Sequence, residues 1–313
     1  MNALRIATRG SDLALTQARW IAERIERELG QPTELVVVRT TGDRIQDRSL
    51  AKIGGKGLFV KEIEEALLED RADVAIHSAK DVPARIAEGC GLAAFPERVD
   101  ARDALVAREP GASLAKLAAG ARVGTGSTRR VALLRALRPD LELVPLRGNV
   151  PTRLERVREG DLDAVVLACA GLDRLGLGDR IAERIDPGVM LPAIGQGVLA
   201  LETRADDAWA ERLRSLEPEA LAPVARAERA FQSALGGDCS TPMAGYAELD
   251  AGGGLRIRGL VASLDGSRVV RAERRGPVAR AEGLGEALAE AVLGEGGAEI
   301  LREIEAAETG DDG

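Results

Sequence analysis

Short apolar runs alternate with amphipathic stretches of helical period over the first two thirds of the chain. Residues 4–8 and 73–76 have the pattern of short strands. Ser11 is a good N-cap for a helix that follows the first strand. The continuous apolar run at residues 35–38 predicts a strand that is buried on both faces. This alternation of strand and helix predicts an α/β lobe with a mainly parallel sheet.

A second region of the same kind begins near Asp100. Ser127 is expected to cap one of its helices, and residues 113–119 are predicted to form a short helix. Its predicted strands cover residues 104–107, 122–125, 141–146 and 163–168. The lead-in to the last of these strands resembles that of the strand at 73–76, as expected for two similarly built lobes.

Residues 190–197 have the composition of a linker, and the strand predicted after them is expected to return to the first lobe. A third region begins near Glu217, with one long helix, three strand patterns and further helices, which is typical of an α+β unit. The predicted fold class is therefore α/β, with two lobes and a smaller α+β C-terminal domain. The predicted boundaries are residues 1–98 and 197–216 for lobe 1, 99–196 for lobe 2 and 217–313 for the C-terminal domain.

The length, net charge and cysteine count of the chain limit the classes of protein to which it could belong. The chain has 313 residues, more than one hydrophobic core normally serves, so two or three domains are expected. A net charge of -8 argues against a general nucleic-acid-binding protein, and the apolar runs are far too short to cross a bilayer. The chain begins with a strand pattern rather than a signal peptide, and its three cysteines are too few for a disulfide framework. We therefore expect a cytoplasmic protein.

Histidine and lysine are both rare. His77 is the only histidine, which nearly excludes a histidine-bearing metal cluster or a Ser-His-Asp triad. Lysine occurs only at positions 52, 56, 61, 80 and 116, because arginine takes almost every other basic position. The two side chains are not interchangeable at a binding site, so Lys52, Lys56 and Lys80 are candidates for one. Chance placement on a solvated helix face is the alternative, and it is preferred for the remaining two lysines.

The strongest local constellation is Gly-Thr-Gly-Ser-Thr-Arg-Arg at residues 124–130. A strand runs there into a glycine turn and a helix start, where free backbone N–H groups favour an anion. Arg129 and Arg130 add guanidinium forks suited to carboxylate or phosphate. The motif lacks the third glycine of a dinucleotide fingerprint and the Gly-Lys-Ser/Thr of a P-loop. The alternative is a capped surface helix with solvated arginines.

Other arginines also follow predicted strands. Arg9 and Arg147 stand at strand ends, and Arg153 lies on the helix after the second of them. Ligands of open α/β sheets bind beyond the carboxyl ends of the strands. These arginines could therefore converge on one cleft for a polyphosphate or a ligand with several carboxylates, although each alone is typical of a protein surface.

Two further residues could carry chemistry. Asp81 follows a buried strand beside Lys80, and it could transfer protons or stabilise a cation; an ordinary turn aspartate is the alternative. Cys239 lies behind two glycines and an aspartate, so a loop is expected to present its thiol to the cationic cleft. The alternative is a small buried hydrophobic side chain, which is what we expect of Cys90 and Cys169.

Taken together, these stretches resemble the porphobilinogen deaminase family, also called hydroxymethylbilane synthases. The resemblance runs through nearly the full chain, and its ordered matches include residues 4–9, 54–62, 75–83, 146–150, 170–176 and 195–197. It implies two lobes like those of type II periplasmic binding proteins and a third domain that bears the cofactor cysteine. It also implies a transferase that joins four porphobilinogen molecules head to tail, releases ammonia each time and yields linear hydroxymethylbilane for tetrapyrrole and haem biosynthesis.

The resemblance also implies roles for single residues. Asp81, with Lys80 beside it, would be the catalytic carboxylate that stabilises the azafulvene cation left when ammonia departs. A dipyrromethane cofactor would be attached through a thioether to Cys239, and no metal is implied. The residues implied to bind this cofactor are Lys56, Ser127, Arg129, Arg130, Arg147 and Gly148. The residues implied to bind substrate are Arg9, Ser11, Lys52, Phe59, Arg153, Arg174 and Gln196.

Two motifs depart from the family pattern. Residues 124–130 read Gly-Thr-Gly-Ser-Thr-Arg-Arg where the family often has Gly-Thr-Ser-Ser-Leu-Arg-Arg, so one hydroxyl contact is absent. The cysteine loop reads Gly-Gly-Asp-Cys-Ser-Thr-Pro where many members have Gly-Gly-Cys-Gln-Val-Pro. Neither departure removes a charged group.

The expected partner is the small-molecule substrate porphobilinogen, with neither nucleic acid nor membrane. A monomer is expected, with a transient hand-off of product to uroporphyrinogen III synthase. Two rival functions stay open at this point, because fold alone does not establish function. One is a non-catalytic, two-lobed anion-binding module. The other is a cysteine-nucleophile hydrolase or transferase, which would need His77 near Cys239.

Overall fold

The structure, a computed structural model, describes residues 2–44, 60–109, 111–236 and 241–310. The strands are β1 (Leu4–Arg9), β2 (Thr33–Val38), β3 (Val74–Ser78), β4 (Cys90–Ala94), β5 (Asp103–Ala107), β6 (Arg122–Thr125), β7 (Glu142–Pro145), β8 (Ala164–Ala168), β9 (Glu183–Ile185), β10 (Leu199–Arg204), β11 (Met243–Leu249), β12 (Gly254–Ala262) and β13 (Val269–Pro277). The α-helices are α1 (Asp12–Leu29), α2 (Thr41–Arg44), α3 (Lys61–Leu68), α4 (Thr128–Leu137), α5 (Val150–Arg158), α6 (Cys169–Arg174), α7 (Trp209–Arg214), α8 (Leu221–Leu235), α9 (Ala281–Val292) and α10 (Ala298–Gly310).

Two five-stranded sheets form the cores of two similar lobes. The first sheet has the order β2-β1-β3-β10-β4, in which β10 alone runs against the others. The second has the corresponding order β7-β6-β8-β5-β9, in which β5 is the reversed strand. Each reversed strand follows a point where the chain crosses between the lobes. The predicted α/β fold with two alike, mainly parallel lobes is confirmed.

Two local predictions are wrong. β2 is an edge strand rather than a strand buried on both faces, and Val37 is 53% exposed. An apolar run does not by itself distinguish the edge of a sheet from its centre. The helix predicted over 113–119 is only the 3₁₀ turn Leu114–Lys116. Arg138 donates to the carbonyls of Leu114 and Leu117, which occupies acceptors that a longer helix would use.

The segments that join the lobes lie side by side. We call residues 95–102 the first crossing and residues 186–198 the second crossing. Val99 donates its N–H to the carbonyl oxygen of Gly197 at 3.1 Å, and Arg98 forms an antiparallel bridge with Val198. Gly197 has a φ of 84°, and a Cβ there would stand 2.5 Å from the carbonyl oxygen of Val99. Only glycine therefore permits this close approach of the two crossings.

The C-terminal domain packs against both lobes. Its antiparallel sheet has the order β11-β12-β13. Phe231 of α8 shares a core with Val82, which follows β3, and with Ile194 of the second crossing. Leu260 of β12 lies in a different core with Leu133 of the second lobe. These contacts show which elements pack together. They do not test the three domain boundaries, which stay a prediction.

A buried glutamate joins α8 to both crossings. Glu228 is fully buried, and its carboxylate accepts a hydrogen bond from Arg98 at 2.9 Å. It also accepts the N–H groups of Gly195 and Ala247, each at 2.7 Å. A carboxylate that has lost its water needs such partners, because an unpaired buried charge is very costly. Glu228 therefore holds the start of the C-terminal domain in a defined position against the crossings.

Candidate functional site

The candidate site begins where β1 and β3 of the first lobe end. Asp81 closes the 3₁₀ turn Ala79–Asp81 that follows β3, and it lines a pocket together with Arg9 and Ser11. Ser11 caps α1, because its hydroxyl oxygen accepts the N–H of Ala14 at 3.3 Å. The strand–turn–helix layout seen in the sequence thus brings Arg9 and Ser11 beside Asp81.

One residue of this pocket was missed by the sequence analysis. Gln17 lines the pocket, is buried on α1, and donates its side-chain N–H to the hydroxyl of Ser78 at 3.2 Å. It occupies the same buried stripe of α1 as Ala18 and Ile21. A polar side chain inside an apolar stripe needs a partner, and that is the signal by which Gln17 could have been found.

Lys80 is half-buried in the turn that carries Asp81. Burial lowers the pKa of Lys80 to about 8, since the charged ammonium loses solvent. The charges of Asp81 and Asp103 raise this pKa, and those of Arg130 and Arg129 lower it. The pKa of Lys80 therefore depends on charged groups of both lobes, as expected of a side chain in the cleft between them.

The arginine pair at the start of α4 is buried around one carboxylate. Asp103 accepts from Arg129 at 2.8 and 3.1 Å and from Arg130 at 2.7 and 3.0 Å. Burial alone would raise the pKa of the fully buried Asp103, but the two guanidinium groups hold it well below its usual range. The alternative of solvated arginines is wrong, because Arg129 and Arg130 are only 4% and 5% exposed.

Asp103 itself was missed by the sequence analysis, which began this strand at Ala104. An acidic side chain at the start of an apolar strand that lies inside its sheet is buried, so it needs a cation beside it. This requirement is the feature of the sequence by which Asp103 could have been found. Ser127, as predicted, caps the helix that carries the pair: its hydroxyl accepts the N–H of Arg130 at 3.4 Å.

The second crossing completes this buried network. Gln196 is buried and donates from its side-chain amide to the carbonyl of Ala101 at 2.7 Å and to Asp103 at 3.0 Å. The preceding Gly195 has a φ of 70°, and a Cβ there would stand 3.0 Å from the backbone nitrogen of Lys80. The second crossing thus passes directly between the arginine pair and the Lys80 turn.

A second group of cations follows β7. Burial lowers the pKa of Arg147, and the carbonyl of Gly148 accepts the Nε–H of Arg153 at 2.8 Å. Burial also lowers the pKa of Arg153 to about 10; the charges of Arg130 and Arg147 lower it further, and that of Asp81 raises it. Asp81 of the first lobe and the arginines of the second lobe therefore face one cleft.

Arg174 lies against the crossings. It donates to Glu97 at 2.8 Å and to the carbonyl oxygen of Gly197 at 2.9 Å. Burial lowers the pKa of Arg174, whereas the bond to Glu97 raises it. In this structure Arg174 is therefore a link between α6 of the second lobe and both crossings.

Four predicted site residues, Lys52, Lys56, Phe59 and Cys239, lie outside the described residues. For Cys239, the structure describes the helix that precedes it in the chain. α8 ends at Leu235, and Gly236 adopts a left-handed conformation with a φ of 73°. This is the usual helix-ending role of glycine, and it agrees with the helix stop expected from the sequence.

The histidine and the other two cysteines are buried. His77 is buried, and its Nε2 lies 2.8 Å from a carboxylate oxygen of Glu202. Cys90 and Cys169 are buried thiols, and burial raises their pKa to about 11 and about 12. Both thiols are therefore protonated at neutral pH, as expected of structural cysteines.

The described side chains favour an anionic ligand. Lys80, Arg147 and Arg153 are half-buried, and none of them forms an ion pair with a described carboxylate. A ligand with several carboxylates would replace the solvent that these cations have lost. Within the described ranges, no group of three or more His, Cys, Asp or Glu side chains is placed to hold a metal ion. No helix of that part of the chain is long and apolar enough to cross a membrane.

Comparison with known proteins gives one family for most of the chain. Residues 4–212 match the family model "Porphobilinogen deaminase, dipyromethane cofactor binding domain", and residues 223–294 match "Porphobilinogen deaminase, C-terminal domain". The porphobilinogen deaminase of Geobacter sulfurreducens is 48% identical over 97% of this chain and 95% of its own. That of Sorangium cellulosum is 56% identical over 87% and 91%. A periplasmic substrate-binding protein from Coxiella burnetii is 15% identical, with a TM-score of 0.43 over 68% of this chain and 91% of its own.

Replacing Asp103 tests whether the arginine pair depends on its carboxylate. Asp103→Asn should lower the free energy of unfolding by about 3–5 kcal/mol, because two buried guanidinium groups lose their counter-charge. Urea denaturation followed by circular dichroism measures this loss.

The matched control is Asp140→Asn, which removes a carboxylate paired with Arg138 at the surface. That change should have little effect, since exposed ion pairs contribute little. A loss for Asp103→Asn no larger than that of the control would contradict the interpretation.

Proposed function

The chain belongs to the porphobilinogen deaminase family, and on this premise we propose how its residues carry out the reaction. It is a transferase that makes hydroxymethylbilane from porphobilinogen in tetrapyrrole biosynthesis, and its larger matched region is the dipyrromethane-binding part. The observation that carries the assignment of roles is the meeting of Asp81 with the half-buried cations Lys80 and Arg153 at one cleft.

The cations without an ion pair to a described carboxylate would hold the acetate and propionate groups of substrate and growing chain. Lys80, Arg147 and Arg153 have lowered pKa values because burial removes water from their charged forms. A bound carboxylate would restore the lost interaction, because an ammonium or guanidinium forms strong charge-assisted hydrogen bonds with a carboxylate. Arg9 and Ser11 line the pocket around Asp81 and would contact the unit that reacts there.

Asp81 would act on the charge that develops during the reaction. When ammonia leaves porphobilinogen, the remaining carbon skeleton becomes positive, and a carboxylate fixed beside it stabilises that charge. The same carboxylate can accept the proton that a pyrrole gives up after the new carbon–carbon bond forms. Its position is defined, because the N–H of Ala79 in the same turn is bonded to the carbonyl of Val198 at 2.9 Å.

The dipyrromethane cofactor would be attached by a thioether to Cys239. When bound, it supplies the pyrrole carbon to which the first substrate unit is joined. Arg129 and Arg130 carry two positive charges against the single negative charge of Asp103, so their network keeps this side of the cleft positive. The complete set proposed to bind the cofactor is Cys239, Lys56, Ser127, Arg129, Arg130, Arg147 and Gly148.

Substrate contacts are proposed for a second set. Arg174 would act from the end of α6, where it is bound to both crossings, and Gln196 would act from the second crossing, where it is bound to Ala101. The complete set proposed to bind substrate is Arg9, Ser11, Lys52, Phe59, Arg153, Arg174 and Gln196. Asp81 and Lys80 are the residues proposed to take part in catalysis.

The two rival functions account for fewer of the residues in the candidate site. An anion-binding module would need the cations of the cleft but not a carboxylate among them, and Asp81 would weaken its binding of anions. A cysteine hydrolase would need His77 as its base, but His77 is only 5% exposed, so little of its ring is accessible to a nucleophile. We therefore prefer the transferase mechanism with Asp81 at its centre.

We also propose that the protein is a cytoplasmic monomer that passes its product to uroporphyrinogen III synthase. The sparse cysteines support a reducing compartment, and two of the three are buried thiols. The monomer and the hand-off rest on the family resemblance. No residue of the described part is assigned to either of them.

Intact mass measurement of the purified protein is the direct test of the proposed cofactor attachment. The wild-type protein should carry an excess mass of two linked pyrrole units, and Cys239→Ala should lose it, because the other two cysteines, Cys90 and Cys169, are buried thiols with raised pKa values that cannot take its place. Cys169→Ala is the control, since that thiol is buried and protonated, and it should keep the excess. Excess mass that persists in Cys239→Ala would refute the assignment.

Replacing Asp81 by Asn removes the charge and keeps the shape. Turnover should fall roughly 100- to 1000-fold, because the positive transition state loses its counter-charge. Cofactor loading and far-UV circular dichroism should stay normal, because Asp81 contributes no ion pair to the described part of the fold. The exposed Glu88 lies in the same loop, and Glu88→Gln is the control that should keep its turnover. Near-normal turnover in Asp81→Asn would exclude it as the catalytic carboxylate.

The pKa of Lys80 predicts a limb in the pH profile. Because the pKa of this ammonium is lowered to about 8, kcat/KM should fall as pH rises through that value and Lys80 loses its charge. Lys80→Arg should move this limb to higher pH, since a guanidinium stays charged. Lys116 is exposed, and Lys116→Arg should leave the profile unchanged. A limb that stays in place in Lys80→Arg would show that another group causes it.

A further inference from the structure

The loop after the candidate catalytic turn depends on one guanidinium group. The three residues that follow Asp81 belong to no helix or strand, so their carbonyl groups need other hydrogen-bond donors. Arg229 of α8 supplies them. It donates to the carbonyl oxygens of Val82 at 3.1 Å, Pro83 at 2.9 Å and Ala84 at 3.3 Å.

Two further side chains of α8 also donate hydrogen bonds to carbonyl groups of this loop. Gln232 donates to the carbonyl of Val82 at 3.3 Å, and Ser233 donates to that of Ala84 at 3.4 Å. Positions 229, 232 and 233 share one face of a helix. Gln232 also accepts an N–H of Arg229 at 2.8 Å, which orients the guanidinium. The loop therefore lies along a single face of α8.

Arg229 has no terminal N–H group left for a ligand. Its Nη1 donates to Val82 and to Gln232, and its Nη2 donates to Pro83 and to Ala84. Each of these nitrogens carries two hydrogens, so all four are used. Arg229 is half-buried, and burial lowers its pKa. The guanidinium of Arg229 therefore binds the backbone of the loop, and it does not recognise an anionic ligand.

α8 itself is held firmly on its other side. Glu228, the residue before Arg229, is buried and bound to both crossings. Phe231 and Leu235 share a core with Val82. The helix ends at Leu235, four residues before Cys239 in the sequence. The turn of Asp81 and the segment that leads to Cys239 are thus joined through one rigid element.

We propose that Arg229 is a positioning residue, which holds the Asp81 turn against α8 so that the carboxylate is aligned with the reacting pyrrole. The inference rests on the proposed function of Asp81. Loss of the guanidinium would leave the carbonyl of Pro83 without this donor and leave those of Val82 and Ala84 to Gln232 and Ser233. The turn could then move, while the groups proposed to bind substrate outside it stay in place. Small displacements of a catalytic group lower the rate far more than they lower binding.

The test is Arg229→Leu in the cofactor-loaded enzyme, with loading checked by intact mass. We expect kcat to fall roughly 10- to 100-fold. KM should change by less than about threefold, because the residues proposed to bind substrate outside the Asp81 turn are untouched. Arg229→Lys should recover part of kcat, since one ammonium can donate to some of these carbonyls but lacks the planar fork.

The matched control lies on the same helix. Arg226 has an exposed side chain paired with Glu217 at 3.3 Å, and Arg226→Leu should keep kcat within about twofold of wild type. Unchanged kcat in loaded Arg229→Leu would overturn the proposal, and so would a raised KM with unchanged kcat.

If Arg229→Leu does not fold, Arg229→Lys decides, because its single ammonium cannot donate to all the groups that the guanidinium binds. A lower kcat at constant KM supports the positioning role, and an unchanged kcat overturns it. Asp81→Asn is measured in parallel. Normal turnover in that variant would overturn the proposed function itself, whatever the Arg229 variants do.

Discussion

The carboxylate of Asp103 is the interaction on which the arrangement of the cleft depends. It lies at the start of β5, and it binds both arginines at the start of α4. Arg129 also donates to the carbonyl of Leu191 at 2.7 Å, and Arg130 donates to that of Val166 at 3.1 Å. A buried ion group is stabilised when its opposite charges are paired. Asp103 pairs with both guanidinium groups, although the buried Nε of Arg129 has no hydrogen-bond partner among the described residues. This group therefore joins a strand, a helix and the second crossing into one unit.

The C-terminal domain holds the loop after the Asp81 turn by a similar principle. Glu228 and Arg229 are adjacent on α8, yet they bind different parts of the first lobe and the crossings. Both side chains are charged groups that satisfy backbone N–H or carbonyl groups where no strand or helix does so. Such contacts are directional, unlike apolar packing, and they fix position as well as distance. The place of Asp81 is thus defined from outside its own lobe.

Local features of the sequence predicted much of this fold. The caps at Ser11 and Ser127 depend on neighbouring residues, and the structure contains both. The edge position of β2 and the pairing of Asp103 with Arg129 depend on elements far away in the chain, and the pattern around each residue contains no record of them. The family resemblance supplied candidate roles, but it did not indicate that Arg174 is bound to both crossings.

The contacts divide the predicted cations into two kinds. Arg129, Arg130 and Arg174 use guanidinium N–H groups on protein carboxylates and carbonyls, so they contribute mainly positive potential. Lys80 and Arg153 have lost water without gaining a described carboxylate, so a ligand carboxylate interacts with them most strongly. Asp81 lies within electrostatic reach of both. The proposed recognition of substrate carboxylates and the proposed stabilisation of the positive charge left when ammonia departs therefore fall at one point of the cleft.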